Sequence, residues 1–533
     1  MKGLMIVLAL GVTTSMLAQN NSSFRGDFDA FKKDARKEYS DFRKQCMKEY
    51  ADFVRTAWKE FRPEKAVPIP HEEEVTPILV PDADEKTASW FSNLYGAVKR
   101  KLFKKKGNDT IKISQKNKKE EVEPQSLTKK DSKPAILPFK EVIAAAPKVE
   151  QPQPLSEVIE QRAAANEYQS FTIFGTTYRI RVGDNCRFTL KSVQPDDVAD
   201  VWTLFTQTQF DNMLYDCLQE RKQHHLSDWA YYKMLEGLTD AFYGKKSNEA
   251  ALVMAFLYSQ SGYKMRLAHD DSRLYMLAAT RHFILGRSYY YIGGDDYFLL
   301  GDDKCNTLKI CEKAKFPKEG ALSLQMDVIQ DFNANPTQSR TITSQVDEDF
   351  SFTLTSNKNY IDFYSTYPVS TVNGNFMTRW AMIANTPLEK GITEQLYPKM
   401  REKLQGLSEL DAAQQLHWWL QSGFKYMLDK DAWGVDDRIF FGEETLFYPA
   451  CDCEDRAILL SHLVRDLLGL KVVLVYYPGH LSMAINFKED VKGDAFIVDG
   501  QRFVVCDPTY IGSRVGQTAD VFNNAEASVI LLD

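Results

Sequence analysis

The sequence predicts an α+β fold, and three observations carry that expectation. Near the C-terminus, Ala457 to Leu468 is an apolar run with helical spacing, opened by Ala450-Cys451-Asp452-Cys453-Glu454-Asp455. Two strand pairs joined by tight turns follow it, which fold back as an antiparallel sheet behind the helix. An earlier stretch, about 155 to 345, opens with strands at Ser170–Phe174 and Thr177–Arg181, turns mainly helical, and then repeats a helix followed by a hairpin.

Within the last region, Ile458, Leu459, Leu463, Leu467 and Leu468 form one helical face, which Gly469 ends. Lys471 to Tyr477 reads as a strand, Pro478-Gly479 as a turn, and His480 to Phe487 as the returning strand. Asp494 to Val498 and Gln501 to Cys506 then flank a turn at Asp499-Gly500, and Asp507 stands where the second strand runs out into Pro508. Cys453 falls in the first turn of the helix, where the positive end of the dipole and a nearby imidazolium lower a thiol's pKa. His480, at a strand start, suits a base, and Asp507 suits the group that fixes its tautomer, so the chain order is nucleophile, base, orienter. Each has a plainer role to set beside this. A Cys at a helix start is ordinarily packing, Asp before Pro ordinarily shapes a turn, Cys451 is a competing thiol, and His462 sits mid-helix as a packing residue. The backbone N–H of Cys453 is the natural first oxyanion donor. Gln421, Tyr426 and Trp433 are the candidates for the second, although each also suits an ordinary core or loop position.

These residues resemble a known family, the transglutaminase-like cysteine enzymes, of the bacterial peptidase type. The matching elements are Glu444-Thr445-Leu446, Asp452-Cys453-Glu454-Asp455 with Ala457 and Leu459-Leu460, Gly469, Gly479-His480, and Asp507-Pro508-Thr509-Tyr510. Two positions depart: Cys451 stands where such proteins commonly carry Gly, and Leu481 where a small residue often follows the His. The resemblance implies a papain-like core, a helix on an antiparallel sheet, and a Cys453-His480-Asp507 triad for acyl transfer or amide hydrolysis of a protein or peptide, with peptidase or amidase as the leading activity. A non-catalytic cell-envelope binding or scaffold protein of the same fold is the alternative, and a protein-crosslinking transglutaminase the second. No cofactor is expected. No metal is expected either, since the paired His224-His225 at a helix end cannot both face one ion.

The preceding chain sets the context. Residues 1–18 read as a signal peptide, with Lys2, an apolar run and Ser15-Met16-Leu17-Ala18, so export to a periplasmic or extracellular location without a transmembrane anchor is expected. Over 19–62 apolar residues recur from Phe24 to Phe61 with an eleven-residue repeat, which keeps one stripe nearly straight on a long helix. Self-association, docking on the body or an envelope partner would bury the stripe of this 24–61 helix. Residues 63–154 have the composition of a charged linker, interrupted at 89–106 by Trp90, Phe91, Leu94 and Tyr95 beside clustered lysines, the pattern of a peripheral membrane contact.

The middle domain, 155–345, echoes the catalytic one: Asn248 to Gly262 mirrors Asp455 to Gly469, which sets Lys246 opposite Cys453. The catalytic domain is expected over 346–533, beginning with strands at Phe350–Leu354 and Ile361–Tyr364 and two helices across Glu394–Leu420. A net charge of -7 and the absence of a recognised motif give no case for nucleic acid. Eight cysteines in 533 residues are too few for a disulfide scaffold. Cys305 and Cys311 are spaced to pair, and Cys451 or Cys506 could form a reversible disulfide with Cys453.

Overall fold

A computed structural model describes residues 62–67, 134–160, 167–301, 305–313, 315–435 and 437–533, with isolated helical positions between 37 and 56. The signal peptide, the 89–106 segment and the apolar stripe of the N-terminal helix lie outside the described residues. The polar positions of that helix that are described include Arg55, which pairs with Asp200 at 2.6 Å.

The fold mixes helices with antiparallel sheets and is organised around two six-stranded sheets. Their strands are β1 (Arg62–Lys65), β2 (Glu141–Ile143), β3 (Met265–His269), β4 (Leu274–Ala279), β5 (Tyr289–Ile292), β6 (Asp295–Phe298), β7 (Thr307–Ile310), β8 (Lys471–Tyr477), β9 (His480–Asn486), β10 (Ala495–Val498), β11 (Gln501–Val505) and β12 (Ser528–Leu531). The first sheet runs β1-β7-β3-β4-β6-β5 and the second β2-β12-β8-β9-β11-β10. Taken strand for strand, the two orders are the same. Every pairing is antiparallel except β2 with β12, which is parallel where β1 with β7 is not.

The helices that matter to the site are α1 (Asp228–Tyr243), α2 (Asn248–Gln260), α3 (Glu409–Gly423), α4 (Gly442–Phe447) and α5 (Cys453–Leu463). One continuous apolar core contains residues of α2 and α5 and one face of each sheet: Met265, Leu267 and Met276 on the first, Val472, Leu474 and Met483 on the second. The opposite face of each sheet packs into a smaller cluster of its own. The β5-β6 and β10-β11 hairpins close through Gly293-Gly294 and Asp499-Gly500, all four at positive φ. That is the backbone a two-residue turn needs to match the twist of its strands.

Three expectations change. Lys358–Tyr364 is a helix rather than a strand; Asn357 caps it by accepting the Asn359 N–H, which fixes a helical start. The linker's two ends are built into the sheets: Arg62–Lys65 and Glu141–Ile143 each supply an edge strand, and Leu137 and Ile143 are buried. Cys305 and Cys311 are free thiols, as are the other described cysteines. Cys311 lies in the shared core and Cys305 against the cluster on the opposite face of the first sheet, so the sheet separates them. No helix among the described residues is long and apolar enough to cross a membrane.

Candidate functional site

Cys453 is the first residue of α5, where Asp452 precedes the helix and donates its N–H to Asp455 Oδ2 at 3.2 Å. The N–H groups of a first helical turn have no acceptor within the helix, so that of Cys453 is oriented toward whatever lies at the helix start. α5 is buried on every side, Arg456 and Asp455 included, because it passes between the second sheet and the α3–α4 layer. Arg456 is held there by donating Nη2–H to the Phe424 carbonyl at 2.7 Å.

β9 begins at His480 immediately after the tight turn, paired with Tyr477 across the hairpin. Asp507 follows β11, and its Oδ2 lies 2.7 Å from His480 Nε2. Its other oxygen accepts the Thr509 N–H at 2.9 Å, and its carbonyl meets His417 Nε2 at 2.7 Å. Burial alone would raise the Asp507 carboxyl, yet the His480 charge and hydrogen bond, with the Thr509 N–H, hold it below its ordinary value. Phe522 stacks on the His480 ring at 4.7 Å and 11°, and Tyr510 meets it edge-on at 5.6 Å. His480 is consequently 2% exposed. The N–H of Leu481, the residue after His480, favours the Cys453 thiolate, and α5 packs along β9, which puts the thiol beside that strand.

The thiol's electrostatics depart from the sequence expectation. Cys453 is pushed well above an ordinary thiol by burial, and then by Glu454 and Asp452. Its Sγ donates to Glu454 Oε2 at 3.0 Å. The helix dipole and the Leu481 N–H do not overcome two adjacent carboxylates in a site sealed from water. Asp429 lies in the same cluster and is raised to about 7 by burial and by Glu454, while burial and Glu454 also raise Asp452 and Asp455 well above the usual range. Oxygens of Asp429, Asp437 and Glu454 lie within 4.8 Å of one another, as do ligand atoms of Asp452, Cys453 and Glu454. Those are the residues among the described ones with the spacing to hold a cation. His224 and His225, by contrast, both turn Nδ1 toward Asp331.

The chain matches no protein-family model and no curated protein sequence.

The three candidate donors occupy different places. Tyr426 is backbone-paired with Cys451, and the charge of Cys453 contributes to raising its hydroxyl, after burial, so it neighbours the thiol as a protonated donor. Gln421 is spent elsewhere: its amide N–H groups go to the Tyr510 carbonyl and Ser513 Oγ, and its oxygen accepts the Gly512 N–H. It fastens the loop after Asp507 rather than facing the sulfur. Trp433 packs with Phe440 and Tyr448 under the Arg438 guanidinium. Cys451 is buried and raised to about 11 by that burial. Sequence reading did not single out Glu454, Asp429, His417 or Phe522. Only Glu454 had a visible signal, adjacent to Cys453; the others arrive through tertiary contacts.

Proposed function

We propose that the chain is a transglutaminase-like thiol enzyme with a papain-like core, acting as a peptidase or amidase. The carrying observation is the 2.7 Å bond between His480 Nε2 and Asp507 Oδ2, at the start of the strand on which the Cys453 helix packs. With Nε2 engaged by Asp507, Nδ1 is the nitrogen left to take the thiol proton. Cys453 Sγ then bonds the substrate carbonyl carbon, and the resulting oxyanion is met by the Cys453 N–H and the Tyr426 hydroxyl. His480 returns the proton to the departing amine, leaving an acyl-enzyme that water hydrolyses.

The same region also supports a second reading, a cell-envelope scaffold in which the triad does no turnover. The buried thiol with its raised pKa favours it. In the catalytic reading, that raised pKa belongs to a closed state that substrate opens, admitting water and withdrawing Glu454. The deciding measurement is the pH dependence of Cys453 alkylation, followed by mass spectrometry, in the wild type and in His480→Ala, together with release of amine from a peptide library. A neutral-pH reactivity that vanishes in His480→Ala, with amine release, supports the enzyme. A reactivity indifferent to His480 with no release leaves the scaffold. Crosslinking appears in the same assay as incorporation of an added primary amine. Export, self-association through the 24–61 helix and membrane contact through 89–106 complete the proposed setting of a periplasmic or extracellular protein.

A further inference from the structure

α3 turns three side chains toward the loop that carries Asp507. Gln414, His417 and Gln421 follow at steps of three and four, which sets them on one face of the helix. Gln421 and Gln414 bond residues between Tyr510 and Val515, and His417 bonds Asp507 itself. The loop needs this support. β11 ends at Val505, and Cys506 gives its N–H to the Met483 carbonyl at 2.8 Å. Asp507 lies past these paired residues, and the proline after it has no N–H to offer. The sheet therefore brings Asp507 to the site without fixing the turn of its backbone, and the direction of the carboxylate depends on what holds the main chain.

His417 holds it. The ring is 0% exposed, and its Nε2 stands 2.7 Å from the Asp507 carbonyl oxygen. Two neighbours that can each play one part only fix which nitrogen carries the proton. A carbonyl oxygen accepts and never donates, so Nε2 bears the hydrogen. On the other side Gln414 Oε1 takes the Val515 N–H at 3.0 Å, which turns the amide nitrogen of Gln414 to His417 Nδ1 at 3.1 Å. That nitrogen donates, so Nδ1 is bare. Both sides give the same neutral tautomer, and burial lowers the pKa of the ring to about 4, which keeps it neutral. Ser513 Oγ also lies 3.2 Å from the Asp507 carbonyl, but its one proton has the Tyr510 carbonyl nearer, at 2.8 Å. Asp507 is thus held at three atoms: its carbonyl by His417, Oδ1 by the Thr509 N–H at 2.9 Å, and Oδ2 by His480 at 2.7 Å. The same α3 packs against α5, so the helix that steadies Asp507 also backs the helix that opens with Cys453.

We propose that His417 is a positioning residue for the triad: its Nε2–H sets the Asp507 backbone so that the carboxylate meets His480 Nε2, which keeps His480 in one tautomer with Nδ1 toward the thiol proton. The hydrogen bonds run in order from the Val515 N–H to Gln414, from Gln414 to His417, from His417 to the Asp507 carbonyl, and from His480 to the Asp507 carboxylate. His417 touches no reacting atom and acts through Asp507. Its effect on rate rests on the peptidase or amidase reading of Cys453; its effect on the His480 ring does not need turnover.

The test reads the rings directly, in long-range nitrogen–proton correlation spectra of the full chain labelled with nitrogen-15 histidine at neutral pH, with His480 assigned by its loss in His480→Gln. In the wild type both His417 and His480 should show a protonated Nε2 and a bare Nδ1. In His417→Leu, His480 should turn to a mixture of tautomers, and His417→Gln, whose amide donates from near the Nε2 position, should restore the single form. In the amine-release assay His417→Leu should lower kcat about 100-fold with KM unchanged, the cost of a displacement of about 1 Å, and His417→Gln should recover most of it. A lowered melting temperature in His417→Leu with the His480 ring unchanged would make His417 a packing residue and overturn the proposal, as would equal behaviour of the Leu and Gln variants. Should His417→Leu fail to fold, the wild-type spectrum decides: a bare Nε2 or a charged ring at His417 overturns the proposal, and the expected tautomer supports it. No amine release from any form of the chain, with the tautomer change still present, would reject the enzyme reading and leave the positioning of His480 standing.

Discussion

Phe522 covers the His480 ring, and removing it should open that side of the Cys453–His480 region. The ring stacks on His480 at 4.7 Å, on Tyr477 at 4.4 Å and 16°, and meets Tyr510 at 5.4 Å and 85°. Each aromatic pair is worth about 0.5–1.5 kcal/mol beyond area burial, so the three together give about 3 kcal/mol. If the thiol is modified only in molecules whose 510–524 loop has lifted, Phe522→Ala raises the open population about 100-fold, at roughly 1.4 kcal/mol per factor of ten. Site-resolved alkylation of Cys453 with a neutral reagent at pH 8 reads this directly. Cys217, fully buried and remote in sequence from this region, reports global unfolding in the same sample. The expected result is accelerated labelling of Cys453 with Cys217 unchanged. Equal acceleration at both thiols would mean the whole fold had loosened, and no acceleration with the fold intact would refute Phe522 as the closing element.

Other outcomes follow from the same contacts. If the proposed amide hydrolysis holds, Tyr426→Phe should lower its kcat by roughly 100–1,000-fold with little change in KM, as loss of one oxyanion donor does; a change confined to KM would assign Tyr426 to binding. Gln421→Ala strips three hydrogen bonds from the loop after Asp507 and should cost about 1–3 kcal/mol in urea denaturation. Glu443 is 2% exposed, accepts the Glu389 N–H, and is pushed up from 4.5 to about 8, chiefly by burial. Because the folded state holds that proton more tightly, its contribution to stability is full below pH 4.5 and is lost as pH rises toward 8. The midpoint of unfolding should therefore fall between pH 5 and 8, by the equivalent of about 3 kcal/mol from this group, and Glu443→Gln should flatten the slope. A slope unchanged in that variant would shift the effect to Glu444 and Asp429, both raised to about 7.

The C-terminal hairpins were the most legible part of the chain. Pro478-Gly479 and Asp499-Gly500 admit few conformations, and the strands they bound, Lys471–Tyr477 above all, follow from turn chemistry and apolar runs. The His480–Asp507 pairing could be anticipated for the same reason, since both side chains sit at strand ends of one sheet. The state of the thiol could not. Its pKa depends on how Glu454, Asp452 and Asp429 crowd a sealed space, and a helix-start argument contains no term for that burial. Ile361–Tyr364 was misread because a four-residue apolar stretch has no resolvable period, whereas the capping Asn357 just ahead was the informative residue. The edge strands in the linker were hidden by composition: a charged, proline-rich segment needs only a few apolar residues such as Leu137 and Ile143 to dock on an existing sheet.

The second sheet's edge also sets the order of events during synthesis. β12 is hydrogen-bonded on both sides, to β8 and to β2, and Ser528 reaches back 387 positions to Glu141. The ribosome makes β2 387 positions ahead of its partner, counted from Glu141 to Ser528, so β2 waits unpaired while the chain between them is synthesised. Phe522 and the stretch that covers His480 are equally late. The nascent polypeptide therefore carries its thiol on an incomplete sheet until β12 has emerged, and deleting Ser528–Leu531 removes the strand that joins the first-made part of this sheet to the rest.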